Sequence, residues 1–332
     1  MRTVYASAQA DGSQKAIFSD EISDIAAARS GRNALAEFLQ TTPLNASVPS
    51  KTYIGTAGWS IPRAEQSRFP KAESLLARYA KELPAVEINS TFYRPHRAST
   101  FERWAANVPR AFRFSVKIPR AITHDQRLTS SAKLLKTFLA ELAPLGPRLG
   151  CLLVQLPPSL AFDARITRAF FTGLRKQFDR GIALEPRHAS WFGDPADSLL
   201  NKFEVARVAA DPPRAEGDGA PGGWPGLAYF RLHGTPRIYY SSYEDDYLDT
   251  LAGRLQSLQR ARIPTWCIFD NTALGAATGN ALSLIKLLGH KAASTGVDRG
   301  QEGRAMSAAS TTRSRRSPPS PAASALPRRA RH

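Results

Sequence analysis

The chain has 332 residues, 42% of them hydrophobic, enough to bury one large α/β core or two ordinary ones. No apolar run approaches the roughly 18 residues of a membrane span, and the start "MRTVYASAQADGSQ" lacks a signal peptide's apolar core; with only Cys151 and Cys267 there is no disulfide framework, so the expectation is a cytoplasmic protein with no membrane partner. The net charge of +17 divides unevenly, because residues 303–332 hold seven arginines and no acid, which leaves +10 for the rest.

Residues 1–50 are polar, with one helix predicted in "DEISDIAAARSGRNALAEFLQ", and read as an N-terminal extension. From Thr52 the pattern changes to short β-rich segments: "TYIGT", "AVEIN", "FRFSVK", "CLLVQL", "GIALE", "VARVAA", "LAYFRLH" and "TWCIFDN". Helical periodicity lies between most of them, as in Leu134, Leu135, Phe138, Leu139 and Leu142, or Leu248, Leu251, Leu255 and Leu258. "SSAKLL" and "TFERWA" each offer a Ser or Thr as a helix N-cap. The link from the sixth to the seventh strand, "DPPRAEGDGAPGGWPG", is too rich in Pro and Gly for a helix. Eight strands with intervening helices predict a (β/α)₈ TIM-type barrel over residues 51–290, a fold of roughly 250 residues; a doubly wound sheet is the competitor, but "GTAGW" is not its Gly-rich turn. Residues 291–332 are rich in Arg, Ser and Pro and read as a disordered basic tail: a solvated extension without a dedicated partner is the preferred reading, and non-specific polyanion binding the alternative.

In such a barrel the C-terminal strand ends carry function, and here they are polar. The second strand ends in Glu87 and Asn89, the third in Lys117, the fourth in Gln155 and the fifth in Glu185, Arg187 and His188. The sixth ends at Asp211, the seventh in Arg231 and His233, and the eighth in Asp270 and Asn271. Alternation along "FRFSVK" turns Arg113, Ser115 and Lys117 to the lumen and Phe112, Phe114 and Val116 to the helices. In "LEPRHASWF", Pro186 breaks the ladder so that Arg187 and His188 lean over the mouth, while Trp191 and Phe192 pin the loop. Small residues in "NTALGAATGNAL" before a helix are a weak phosphate-site signal.

In order along the chain, "GTAGWS", "VEINSTFYRPH", "FRFSVKIPRAITHDQRL", "LLVQLPPSL", "EPRHASW", "YFRLHG" and "FDNTALGAATGNAL" resemble the YecE-like proteins, the family catalogued as domain of unknown function 72, from about Thr52 to Leu288. The resemblance implies a TIM-type barrel and hands over no reaction. It implies that Trp59, Glu87, Asn89, Lys117, His124, Gln155, Glu185, Arg187, His188, Arg231, His233 and Asn271 belong to a family pattern. Departures are "EPRH" where the family often has "EFRH", and "IPRAEQSRFP" where a second Trp-containing segment is usual.

The preferred functional expectation is a hydrolase or lyase acting on an anionic, phosphate-bearing substrate. Lys117, Arg187 and Arg231 would hold the anion, Glu185 or Glu87 would be the general base, and His188 or His233 would shuttle protons. Trp59, Asn89, His124, Gln155 and Asn271 complete the binding set. No cofactor is expected; a divalent metal on Glu87, Glu185, His188, His233, Asp211 and Asp270 is the minor version, since no HxxxH or HxH pair occurs. The alternatives are a non-catalytic nucleotide or nucleic-acid binding module, with strongly salt-dependent affinity, and a structural barrel with an idle mouth. Nucleophilic Ser or Cys catalysis has little support without GxSxG and with both cysteines in apolar strands.

Overall fold

The structure is a computed structural model that describes residues 51–215 and 218–289. The predicted N-terminal helix and the basic tail lie outside the described residues. Ten strands form one sheet: β1 (Thr52–Ala57), β2 (Ala85–Ile88), β3 (Arg113–Lys117), β4 (Leu149–Gln155), β5 (Gly181–Glu185), β6 (Val205–Arg207), β7 (Ala209–Asp211), β8 (Gly222–Gly223), β9 (Ala228–Leu232) and β10 (Thr265–Phe269). From β1 to β6 each strand pairs in parallel with the next, and β10 lies between β9 and β1.

The sheet closes through a divided sixth strand. Its first half, β6, pairs with β5 through Ile182↔Val205 and Leu184↔Arg207, and its second half, β7, pairs with β9 through Ala209↔Phe230 and Asp211↔Leu232. Val208 joins the halves and donates its N–H to the Leu184 carbonyl at 2.9 Å. The eight predicted strands are therefore present as barrel staves, one of them in two pieces. Among its described residues the Pro/Gly-rich link carries no helix, as its composition requires, and instead adds β8 as an antiparallel flap on β6.

Alternation along the staves fills the lumen in layers. Ala85, Cys151, Leu153, Ala183, Ala206, Val208, Tyr229, Trp266 and Ile268 form one buried apolar cluster, joined by Tyr53. Trp266 stacks on Tyr229 at 6.1 Å and leans on Tyr53 at 4.8 Å. Gly150 makes room for the indole, since a Cβ there would come within 2.7 Å of its ring. Burying a large side chain of this kind stabilises the fold by about 2–3 kcal/mol, so this layer is a packed plug at the lower end of the barrel. Cys151 and Cys267 are both buried and free.

Outside the staves lie α1 (Leu75–Tyr79), α2 (Ala98–Ala106), α3 (Ala132–Leu142), α4 (Ala164–Arg175), α5 (Asp194–Lys202), α6 (Asp245–Arg260) and a last helix that starts at residue 276. The Leu248–Leu251–Leu255–Leu258 stripe of α6 is wholly buried, whereas in α3 Leu134 faces out and Leu135, Phe138 and Leu142 face in. The expected caps differ. Thr100 lies inside α2, whose N-cap is Arg97, and Ser131 precedes α3 without capping it, because its hydroxyl turns to the Leu128 carbonyl. Side-chain caps occur instead at Ser74 and Asp163, which accept from Ala77 N and Ile166 N.

Candidate functional site

The upper layer of the lumen is built around one guanidinium. Arg231, on β9 and 1% exposed, donates to Glu87 on β2 (Nη2–Oε1 2.8 Å, Nε–Oε2 3.1 Å), to Glu185 at the end of β5 (Nη1–Oε2 3.1 Å) and pairs with Asp270 after β10 (Nη2–Oδ2 3.0 Å). Tyr229 lies one lumen step below Arg231; it donates its O–H to Glu87 Oε2 at 2.8 Å and shares a 2.9 Å hydrogen bond with Ser115 on β3. Each contact follows from strand parity: residues two apart on a stave stand one above the other inside the barrel.

Glu185 is surrounded. Besides Arg231 it accepts from Gln155 Nε2 at 2.9 Å and Arg187 Nη2 at 3.0 Å, and His233 Nε2 lies 3.2 Å away. Burial would raise its pKa, but Arg231, His233 and Arg187 together hold the carboxyl well below the usual range. His233 bridges Glu185 and Asp270, with Nδ1 3.0 Å from Asp270 Oδ2. Two carboxylate partners require both ring nitrogens to donate. Burial alone would lower the His233 pKa, yet Glu185 and these hydrogen bonds raise it, so the ring is held as imidazolium. Glu87 and Glu185, expected as bases, thus have their oxygens committed to donors, and His233 is 0% exposed. They form the frame beneath the site.

Above the frame lies a cationic layer. Lys117 ends β3 with Nζ 4.1 Å from the centre of the Phe92 ring; its carbonyl accepts from the Thr91 hydroxyl at 2.7 Å, but Nζ itself makes no ion pair or hydrogen bond among the described residues. Burial, then the neighbouring Arg231, push its pKa down to about 8 against the pull of Glu185, Glu87 and Asp270. His124, in a π-helical turn over Ala121–Asp125, hydrogen-bonds Thr123 through Nδ1 and meets Phe92 edge-on at 4.9 Å. Burial and the charges of Lys117, Arg120 and Arg187 lower its pKa. Arg187 reaches in from the β5 loop, and the Tyr239 ring lies 5.8 Å from His233. Asn89 follows β2 and leaves a buried Oδ1 without a hydrogen-bond donor among the described residues.

The remaining expected residues do other things. His188 accepts from Ser190 N at 3.2 Å and starts a short turn, so it serves its own loop rather than the mouth. Trp191 is buried and donates to the Leu160 carbonyl, a loop anchor as expected, with Phe192 under Arg207. Trp59 packs edge-on against Trp104 at 5.0 Å. Asn271 is buried and donates to the Ser241 carbonyl and Asn280 Oδ1, tying the loops after β9 and β10 together. The helix starting at residue 276 packs Gly279 against Glu65, so its first turn meets one of the protein's own carboxylates.

Sequence reasoning missed Tyr229, Tyr239 and Asp218. A tyrosine within an apolar strand gives no polar signal. Asp218 sits in the Pro/Gly-rich link, fully buried; one oxygen accepts from Arg214 N at 2.7 Å and the other has no partner among the described residues. Burial raises its pKa to about 6. No group of three or more His, Cys, Asp or Glu among the described residues is arranged to hold a metal ion; Arg231 stands at the point where Glu87, Glu185 and Asp270 converge.

The family model described as "Protein of unknown function DUF72" matches residues 53–304. The UPF0759 protein YunF of Bacillus subtilis (strain 168) is 25% identical over 272 residues, 71% of this chain and 94% of that protein. The UPF0759 protein YecE of Escherichia coli (strain K12) is 32% identical over 167 residues, 48% of this chain and only 58% of that protein. Among solved structures, a DUF72 family protein from Thermotoga maritima MSB8 superposes with a TM-score of 0.59 at 27% identity, covering 71% of this chain and 98% of that one. Another from Enterococcus faecalis V583 gives 0.61 at 23% identity, covering 72% and 96%.

Proposed function

Since the chain belongs to the DUF72 family, whose description assigns no activity, the chemistry has to be read from the barrel mouth itself, and we propose an enzyme of hydrolase or lyase type acting there on an anionic, phosphate-bearing substrate. One observation carries this reading. The three carboxylates are all taken up in ion pairs with Arg231, His233 and Arg187, while Lys117 stands beside them on the Phe92 ring with no ion pair of its own among the described residues. An approaching ligand therefore meets positive charge in a site of low dielectric, where a phosphate or carboxylate is held by charge-assisted hydrogen bonds.

The groups placed to move protons are His124 and Lys117, both with pKa values shifted towards neutrality or below by burial and neighbouring cations. The frame beneath them fixes geometry and keeps the mouth electrically balanced. This division supports catalysis over mere retention of an anion, because an anion binder has no use for a neutral imidazole beside a weakly basic amine.

The test is a turnover screen of the full chain on sugar phosphates and phosphodiesters. Arg187→Ala should raise KM about tenfold or more, and His124→Asn should lower kcat with KM little changed. Should the wild type bind a panel ligand with strong salt dependence and convert none, the chain is a binding module instead.

A further inference from the structure

We propose that Lys117 is a covalent nucleophile, whose amine captures the carbonyl group of an anionic aldehyde or ketone as an imine. This rests on the reading of the mouth given above and narrows its substrate class to carbonyl compounds bearing a phosphate or carboxylate.

The argument starts from what surrounds the amine. A lysine kept only as a counter-charge gains from a carboxylate at contact distance. Three carboxylates lie in the same lumen, and all three make their contacts with Arg231, His233 or Arg187. Lys117 is left at 5% exposure with the Phe92 ring on one side and a guanidinium nearby. The groups that face it are Arg231 from β9, Glu185 from β5, Glu87 from β2, Asp270 after β10 and His124 from the turn after its own strand. With its pKa near 8, against 10.5 for an ordinary lysine, it holds about 300 times more neutral amine at pH 7. Desolvation beside another cation is the recognised way to activate a lysine for imine formation.

The chemistry balances with the groups present. The Nζ lone pair attacks the carbonyl carbon, the C=O π pair moves to oxygen, and the resulting alkoxide takes up a proton from solvent, the one net proton that the protonated imine finally carries. His124, neutral at pH 7, accepts a proton from the carbinolamine nitrogen and returns it to the departing hydroxyl, which leaves as water. The C=N bond that forms is protonated at nitrogen and draws electrons from the bond next to it, so a proton or a carbon fragment can depart from the α-carbon. Arg187 holds the anionic end meanwhile. No oxidant or reductant is consumed.

The experiment uses the full chain with glyoxylate and pyridoxal phosphate as probes, sodium borohydride to reduce any imine, and peptide mass spectrometry to place the label. At pH 7.5 the label should appear first on the peptide containing Lys117, on the order of 100-fold faster than on Lys51 or Lys71. Lys117→Met should lose that label and remain folded by circular dichroism, and Lys117→Arg should lose it while still binding inorganic phosphate. Labelling of Lys117 no faster than of the surface lysines overturns the inference. If turnover of a phosphorylated substrate is found but borohydride never traps it, the imine fails while the broader reading stands; if no phosphorylated compound is bound either, both fail.

Discussion

Replacing Arg231 by methionine tests the frame most directly. The guanidinium is 1% exposed and is shared by Glu87, Glu185 and Asp270 at 2.8–3.1 Å. Removing it does not leave the three equally stranded. Glu185 keeps Gln155, Arg187 and His233, and Asp270 keeps His233. Glu87, 0% exposed, keeps only the Tyr229 hydroxyl among the described residues. Glu87 is therefore the carboxylate that the variant leaves buried with a single neutral donor. Breaking a buried pair in this way costs about 3–5 kcal/mol.

The pH dependence carries the sharper test. In the wild type the folded pKa of Glu185 is depressed, so its stabilisation is present above the unfolded value and is lost as pH falls. Acid relieves a buried charge left without its partner, so the deficit of Arg231→Met is full at pH 7.5 and shrinks as pH falls towards 5. Urea unfolding followed by tryptophan fluorescence at both pH values measures this. Adding Glu87→Gln to the variant should restore about 2 kcal/mol at pH 7.5 and little at pH 5. A loss under 1 kcal/mol, or a deficit that does not shrink with acid, would refute the assignment of Arg231 as keystone of the frame.

Three further outcomes are expected. Tyr229→Phe removes a donor from Glu87 and a partner from Ser115, and should cost about 1–2 kcal/mol in urea melts, since Arg231 still satisfies the carboxylate. His233 has a raised folded pKa, so its stabilisation is whole below about pH 6.5 and is lost as pH rises through the folded value; His233→Asn should cost about 2 kcal/mol at pH 6 and progressively less at higher pH, read from thermal melts across the range. Asp218→Asn should stabilise the chain by about 2 kcal/mol at pH 8, because a buried carboxylate with its pKa raised to about 6 is charged there at a cost, and the gain should vanish near pH 4.

Much of this was legible in the chain. Period-two segments separated by helical stripes place the staves, because a barrel imposes both repeats at once. Parity within a stave pairs Arg231 with His233 and sets Lys117 above Ser115. What parity does not see is how charges share partners: Glu185, Arg231 and Asp270 read as three separate strand ends, and only the closed lumen shows that they satisfy one another. Asn89 and His188 lie beyond their strands, where the backbone turns and alternation stops, so their side chains follow local turns. Tyr229 is invisible for a different reason, since its polar atom comes with a ring that any strand core accepts. The divided sixth strand hides in "VARVAA" because a break at Val208 leaves the hydrophobic pattern intact.

The plug of Trp266, Tyr229 and Tyr53 beneath the charged layer has a kinetic consequence. A tube sealed at one end has a single doorway, so under the proposed reading a product formed in the lumen would leave along the path by which its precursor arrived. Product should accordingly compete with substrate for the empty protein, and accumulating product should slow the reaction by raising the apparent KM while the rate at saturation stays as it was.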